Sequence, residues 1–141
     1  RLDRDTSGLL VFSNDGEFLH RLTSPKKKLA KRYRVLHEGT LPADAVARCA
    51  EGILLEGENE PTRPAVLERQ ADPGDGPGSA VLHLAEGRYH QVRRMFAALG
   101  ARVVALHRDR IGDLDLPADL APGEVRELRP PELALLLSSR P

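Results

Sequence analysis

Asp3 and Asp5, two carboxylates two residues apart, are the first groups in the chain that could do chemistry. Paired carboxylates act as acid and nucleophile in glycoside hydrolysis, but side chains this close on one segment rarely converge across a sugar ring. The five histidines include no pair at i and i+4, and no serine stands in a nucleophile-elbow sequence. Metal-assisted and Ser-His-Asp catalysis therefore have little support. The single cysteine, Cys49, excludes a disulfide within the chain and favours a reducing cytoplasm.

Two basic segments carry further candidates. Residues 31–37 alternate in a pattern that predicts a strand with Lys31 and Tyr33 on the same side. Residues 89–99 place apolar side chains at i, i+3, i+4 and i+7, which predicts an amphipathic helix. Arg93 lies at the border of its apolar stripe and can reach into a cleft, whereas Arg94 points to solvent or a partner. A carboxylate, an aromatic ring and arginines in basic segments suit an RNA-binding site with one acidic centre.

The charge distribution supports this interpretation. The chain has 141 residues with 21 Lys and Arg against 21 Asp and Glu, but residues 1–35 and 86–110 carry net charges of +5 and +4. Residues 36–85 and 111–141 carry −6 and −3. If the fold joins the two basic segments, one face attracts phosphates; ordinary solvated surfaces are the alternative. With 40% hydrophobic residues and no apolar run near 20 residues, we expect a globular protein without a membrane span.

The remaining pattern predicts one α+β domain over residues 1–141, with flanking helices on a mixed, mainly antiparallel sheet. The glycine-rich stretch at 72–78 suits a hairpin loop and lacks the Lys-Ser/Thr ending of a phosphate-binding loop. Besides 31–37 and 89–99, the predicted elements are strands at 8–13, 63–70, 79–85, 101–107 and 111–116, and helices ending near residue 23, at 42–51 and at 131–138.

Four ordered motifs resemble those of pseudouridine synthases. The family signature, Arg-Leu-Asp followed by Thr-Ser/Thr-Gly-Leu, is matched by residues 1–10. Lys31-Arg-Tyr33 resembles the second motif, a Lys-x-Tyr strand, and residues 86–95 resemble the third; residues 106–112 and 120–124 match later segments. The Tyr-His-Gln after Glu86-Gly-Arg is similar to enzymes that modify one uridine of 16S rRNA, position 516 in the usual rRNA numbering. Relatives acting on 23S rRNA more often carry Lys-Asn-Arg there.

The resemblance implies a cofactor-free isomerisation of uridine in ribosomal RNA, and we expect no metal. A monomer is the default expectation, and the single cysteine favours the cytoplasm. Asp3 would be the essential carboxylate, which either attacks the sugar or removes a sugar proton. Tyr33 would stack on the flipped uracil and handle the C5 proton, and Arg93 would pair with Asp3 and orient it. The substrate-binding candidates are Arg1, Arg4, Thr6, Lys31, Arg88, His90, Arg94, Arg108 and Arg110, with Lys26, Lys27 and Lys28 as further phosphate contacts.

Three alternatives remain at this point. A 23S rRNA enzyme of the same family, a non-catalytic RNA-binding or ribosome-assembly module and a nucleoside glycosidase each fit part of the pattern. Family members of this type usually begin with a small S4-like RNA-binding domain and a further catalytic segment. Both are absent ahead of Arg1, so we expect a catalytic domain truncated on its N-terminal side.

Overall fold

A mixed sheet of six strands carries the fold in the part of the chain that the computed structural model describes, residues 1–27 and 29–138. The strands are β1 (Thr6–Gly8), β2 (Lys31–Glu38), β3 (Val66–Ala71), β4 (Gly78–Leu84), β5 (Arg102–Ile111) and β6 (Leu114–Asp115). The helices are α1 (Gly16–Thr23), α2 (Ala45–Glu51), α3 (Gln91–Ala98) and α4 (Pro130–Leu136), with a 3-10 turn at Pro25–Lys27. The predicted α+β class is confirmed. Each of the described helices has only seven or eight residues, too few to cross a bilayer.

The strand order is β1-β5-β2-β4-β3, and β6 pairs with the far end of β5. β1 runs parallel to β5, whereas the pairs β2–β4, β2–β5, β3–β4 and β5–β6 are antiparallel. The sheet is therefore mainly antiparallel, as the turn-linked strands predict. This order brings the basic β2 beside the basic β5, so the two positively charged segments of the sequence meet at the centre of the sheet.

One face of the sheet is covered by helices. α2 packs on β3 and α3 packs on β5. The predicted stripe of α3 is confirmed, since Val92, Met95, Phe96 and Leu99 are each no more than 4% exposed. Cys49 on α2 is fully buried in the same core, and burial raises the pKa of its thiol to about 11, which keeps it neutral. A second apolar cluster joins α1, β6 and α4.

The predicted strand at 8–13 is wrong beyond its first residue. β1 ends at Gly8, whose φ of +112° turns the chain away from the sheet. The Leu9 N–H still donates to the Arg108 carbonyl at 2.7 Å, and the Leu9 side chain packs in the second apolar cluster. The apolar run thus fills a second core. The strand predicted at 101–107 is too short, because pairing with β2 continues to Ile111.

β5 has one more residue than β2 at two places, and one of these is Asp109. The extra residue leaves Arg108 opposite Tyr33, on the helix-covered face. Asp109 lies on the other face, where it pairs with Arg32 at 2.8 Å and with Arg34 at 2.7 Å. Consecutive residues of β5 therefore serve opposite sides of the sheet.

Gly8 is a position where only glycine fits, and the stability lost when a side chain is added there can be measured. A Cβ at residue 8 would lie 2.0 Å from the Arg108 carbonyl oxygen, and its φ is in the left-handed region. We predict that Gly8→Ala lowers the free energy of unfolding by about 2–4 kcal/mol. Urea denaturation followed by circular dichroism measures this change.

Gly16→Ala is the matched control, since no atom lies within 4 Å of a Cβ there and the residue starts α1. It should leave stability unchanged or raise it by up to about 1 kcal/mol, because alanine favours helix. Equal stability of the two variants would contradict the proposed close approach at Gly8.

Candidate active site

The segment that carries Asp3 forms a tight turn directly before β1. The Thr6 N–H donates to the Asp3 carbonyl at 3.0 Å, which closes the turn. Asp3 is partly buried, whereas Arg4 and Asp5 at the tip are exposed. The turn therefore leaves Asp3 partly shielded from solvent while its two charged neighbours are exposed.

Arg108 ties this segment down at both ends. Its side chain is buried, with only 3% of the residue exposed. Nε donates to the Leu9 carbonyl and Nη1 donates to the Arg1 carbonyl, each at 2.9 Å. A buried cation is costly unless its donors are bonded, so these two bonds fix the positions of residues 1 and 9 relative to β5.

Tyr33 lies in the same row of the sheet. Gly8 on β1 pairs with Arg108 on β5, and Arg108 pairs with Tyr33 on β2. Residues side by side on paired strands point to the same face, so Tyr33 and Arg108 share the helix-covered face next to the Asp3 turn. Tyr33 is partly buried and packs against the main core. Lys31 precedes it by two residues and lies on the same side.

Arg93 contacts the Asp3 turn, but not at the expected atom. Its Nη2 donates to the Asp5 carbonyl at 3.3 Å. The expected ion pair with Asp3 is not formed within 4.0 Å, because the guanidinium reaches the backbone at the tip of the turn. Arg93 therefore holds the turn through its main chain in this structure.

Glu86 organises the loop before α3. Oε1 accepts from the Arg63 backbone N–H and from the Gln91 side chain, both at 2.8 Å, and Oε2 accepts from Arg88 at 3.1 Å. Burial alone would raise the pKa of Glu86, but these hydrogen bonds and the Arg88 charge hold it below its ordinary value. Gln91 also accepts from the Arg88 N–H at 2.9 Å. The start of α3, which carries Arg93, is thus anchored to an ionised carboxylate.

Two of the expected phosphate contacts are used inside the protein. Arg88 pairs with Glu86 and donates to the carbonyls of Glu60 and Pro61. Arg94 pairs with Glu58 at 3.1 Å and also donates to two backbone carbonyls. Together they clamp the acidic loop at 56–61 onto the start of α3.

Arg110 is likewise engaged, with Asp115 at 2.6 Å. Arg88, Arg94 and Arg110 thus each have an internal carboxylate partner. The phosphate contacts expected of these three side chains stay predictions.

The other candidates are divided between surface and interior. Arg1 and Arg4 are exposed beside the turn. Thr6 is buried, and its hydroxyl has no hydrogen-bond partner within the described ranges. His90 caps α3 in the left-handed region at φ +47°, and its ring stacks on the exposed Tyr89 with centroids 3.9 Å apart. Lys26 and Lys27 lie in the 3-10 turn, and Lys28 falls outside the described residues.

Sequence reasoning assigned no role to Glu58, Glu86 or Gln91. Glu86 and Gln91 stand in the third motif, and their spacing around the helix start was an available signal for a capping network. Glu58 offered no such signal, because its partner Arg94 is 36 residues away in the chain. The contact between the Ser7 hydroxyl and His107 Nδ1, 2.8 Å on the outer sheet face, was also missed.

A mixed sheet that holds a carboxylate turn, a tyrosine and buried cations on one face suits an enzyme acting on a polyanionic substrate. Residues 1–98 match the sequence profile of the family described as RNA pseudouridylate synthase. The match covers well over half of the chain, so the chain belongs to this family.

Curated relatives agree with the family assignment. The chain is 48% identical over 134 residues to the ribosomal small subunit pseudouridine synthase A of Escherichia coli (strain K12), covering 95% of this chain and 56% of the relative. The protein of that name from Haemophilus influenzae (strain ATCC 51907 / DSM 11121 / KW20 / Rd) is 49% identical over 137 residues, covering 97% and 57%. The chain thus spans just over half the length of these relatives.

Solved structures give the same picture of the fold. A crystal structure described as a pseudouridylate synthase superposes with a TM-score of 0.89 at 49% identity, covering 96% of this chain and 56% of that one. An archaeal box H/ACA Nop10–Cbf5 complex matches with a TM-score of 0.56 at 22% identity, over 85% of this chain and 40% of that one. The second match shows the fold alone.

The Glu86 network makes a pH-dependent prediction. Because its pKa is lowered in the folded state, Glu86 contributes stability above its ordinary value of 4.5, and this stability is lost as the pH falls below it. We predict that Glu86→Gln lowers the free energy of unfolding by about 1–2 kcal/mol at pH 7. The difference from wild type should shrink as the pH falls through 4.5 and below. Urea denaturation at several pH values measures it.

Glu51→Gln, at the exposed end of α2, is the control and should follow wild type at every pH. A Glu86→Gln deficit that stayed constant with pH would contradict a contribution from the ionised carboxylate.

Proposed function

We propose that this chain converts uridine in ribosomal RNA to pseudouridine. The observation that carries the proposal is the anchoring of the Asp3 turn beside Tyr33. Arg108 bonds both ends of the segment and Arg93 bonds its tip, so three hydrogen bonds from two arginines hold one short turn. Such preorganisation is what a reaction at a fixed carboxylate requires.

The chemistry needs only protein side chains. The N1–C1′ bond of uridine breaks, the uracil turns while it is held, and C5 bonds to C1′. Substrate and product have the same composition and oxidation level, so no redox partner or transferred group enters. Asp3 is the proposed essential carboxylate, acting either on C1′ of the sugar or on a sugar proton. Its partly buried position limits hydration, which would otherwise weaken a nucleophile or base.

Tyr33 is the proposed stacking partner of the target base. A base inside an RNA helix does not expose its glycosidic bond, so enzymes that modify bases take the nucleotide out of the stack. The ring of Tyr33 is held by the core on one side and shares its sheet face with Arg108. We infer that the flipped uracil lies against this ring, with the phenol near C5 as candidate for the proton transfer.

Arg93 is proposed as a positioning residue. Its hydrogen bond to the Asp5 carbonyl holds the turn next to α3. The hydrogen bond between Glu86 and Gln91 holds the start of that helix in place. Substrate binding could also bring the guanidinium onto the Asp3 carboxylate, two residues from its present contact. Lysine there would keep the charge and lose the planar, two-pronged donor set.

The target is proposed to be a uridine of 16S rRNA, uridine 516 in the usual numbering. Both relatives described above are named for the ribosomal small subunit. The Tyr-His-Gln sequence after Glu86-Gly-Arg supports the same target. The alternative target is a uridine of 23S rRNA, and the experiment below compares the two RNAs. We further propose that the chain acts as a monomer in the cytoplasm, where bacterial ribosomal RNA is made.

Asp3 provides the direct test of this function. We predict that the chain releases tritium from 16S rRNA labelled as [5-³H]uridine without forming free uracil. Asp3→Asn should lower the rate by at least about 100-fold, because an amide is neither a nucleophile nor a base. Product analysis of the RNA locates the modified nucleotide, and 23S rRNA serves as the competing substrate.

Asp75→Asn, an exposed change in the loop between β3 and β4, is the matched control and should keep the wild-type rate. Free uracil would identify a glycosidase instead. RNA binding without tritium release from any rRNA would identify a non-catalytic module.

Arg4 and Arg94 give a paired test of the RNA contacts. Arg4 is exposed at the tip of the turn, whereas Arg94 is paired with Glu58. We predict that Arg4→Ala lowers the slope of log affinity against log salt by about one. Arg94→Ala should leave that slope unchanged and lower thermal stability, since it frees the loop at 56–61. Fluorescence anisotropy with labelled RNA at several salt concentrations measures the slope, and the opposite pattern would place Arg94 on the RNA.

A further inference from the structure

Two positive charges flank Tyr33 on the helix-covered face. Arg108 lies directly opposite it on β5, and Lys31 precedes it by two residues on β2. Their side chains point to the side of the sheet on which the Asp3 turn is tied down. The ring proposed to stack on uracil therefore has a cation on its own strand and another on the neighbouring strand.

Neither cation has a carboxylate partner. Within residues 1–27 and 29–138, no Asp or Glu oxygen lies within 4.0 Å of either side-chain charge. Arg108 donates only to backbone carbonyls, and the Lys31 ammonium makes no hydrogen bond to a described residue. This contrasts with Arg32, Arg34 and Arg110 on the outer face, which all pair with aspartates.

The surroundings of Lys31 explain its electrostatic state. The charged groups that act on it are Arg108 on β5 and Glu86 in the loop before α3. Burial and then the Arg108 charge lower the pKa of Lys31 from 10.5, and Glu86 only partly offsets them. Glu86 is already bonded to Arg88 and Gln91. The helix-covered face around Tyr33 thus keeps an excess of positive charge.

The wall beside Lys31 is made of backbone. A Cβ at residue 87 would lie 3.3 Å from the Lys31 Nζ, so glycine leaves the ammonium room at this point. Gly87 itself is exposed. Lys31 is partly buried, so its charge is partly desolvated and acts strongly on a nearby group.

The proposed reaction produces an anion that these two cations would stabilise. When the N1–C1′ bond breaks, its electron pair stays on N1, and the negative charge of the released uracil spreads to its carbonyl oxygens. C5 then bonds to C1′ as the bond between Asp3 and C1′ breaks or, in the other role, as the sugar takes back the proton that Asp3 removed. The C5 proton leaves and N1 takes up a proton, so atoms and charge balance. Either role considered for Asp3, attack on the sugar or removal of a sugar proton, releases the base in this form.

We propose that Lys31, supported by Arg108, binds the uracil anion after it separates from the ribose. Lys31 donates to a carbonyl oxygen of the base while Tyr33 holds its ring. The inference rests on the proposed function and adds to it a catalytic residue and the charged species that it recognises. Desolvated cations that are in place before charge develops act without the reorganisation that water would need.

The test compares the binding of two free bases to the full chain by titration calorimetry at neutral pH. Uracil is neutral there, whereas 5-nitrouracil is a monoanion of similar shape. The wild-type chain should bind 5-nitrouracil at least about tenfold more tightly than it binds uracil. Such a preference is expected of an unpaired, partly desolvated positive charge. Lys31→Met should reduce the preference to within about twofold, and Lys31→Arg should retain most of it.

Arg21→Met, which removes an exposed positive charge from α1, is the control and should keep the wild-type preference. Thermal melting separates binding from structure, because removing an unpaired, desolvated charge should leave the Tm of Lys31→Met unchanged or higher. If Lys31→Met does not fold, Lys31→Gln takes its place. A wild type without preference, or a charge-neutral variant that keeps it, overturns the proposal.

The pH dependence of wild type gives a second readout that needs no variant. Raising the pH removes the Lys31 charge, and because its pKa is lowered, the affinity for 5-nitrouracil should fall at a pH below 10.5. Lys31→Arg should lack this fall. Binding of the free base is measured without turnover, so absence of tritium release would contradict the proposed function while the anion preference still decides the role of Lys31.

Discussion

The candidate site depends on the bonds that the buried Arg108 guanidinium makes to the carbonyls of Arg1 and Leu9. β1 has only three residues and pairs with β5 alone, too few ladder bonds to hold the preceding turn in place. A planar guanidinium can reach two carbonyls in different directions, which an ammonium on a single stem does less well. Leaving its donors unbonded would be costly in a site only 3% exposed. The Arg108 guanidinium thus holds the segment in place and also gives the site a positive potential.

The net charge of the sequence is zero, but the structure distributes paired and unpaired charges to different places. Acidic residues of the second segment, Glu58 above all, neutralise arginines of α3 and its approach. On the outer face of the sheet, Asp109 and Asp115 neutralise the arginines of β2 and β5. Among the described residues, Lys31 and Arg108 are buried or partly buried cations that form no salt bridge within 4.0 Å, although Glu86 acts on Lys31 from farther away. A functional surface is therefore marked less by how many charges it carries than by which ones remain unpaired.

Local sequence patterns predicted much of this fold, whereas contacts between residues distant in the chain could not be predicted from them. The α3 helix was predictable because its apolar spacing, its charged border and the closing glycine agree. The strand at β2 was predictable from alternation. The end of β1 was not predictable, because an apolar run has the same pattern whether it continues a strand or packs in a second core. In this chain the positive φ of Gly8 ends the strand. Tyr33 and Asp3 were named from a motif, but the contact of Arg93 with the Asp5 carbonyl depends on how a helix docks, which side-chain type does not encode.

The additional residue in β5 has a consequence for how this strand can evolve. β2 leaves Asp109 unmatched, so deleting Asp109 itself would keep Arg110 opposite Arg32 and Arg108 opposite Tyr33. Deleting a matched neighbour such as His107 and closing the ladder would instead turn Arg108 and Asp109 over. A guanidinium that now serves the interior would face water, and an aspartate would be driven into the apolar layer. Side chains along β5 can therefore vary, whereas homologous chains that keep this architecture should confine any deletion in the strand to the positions that β2 leaves unmatched.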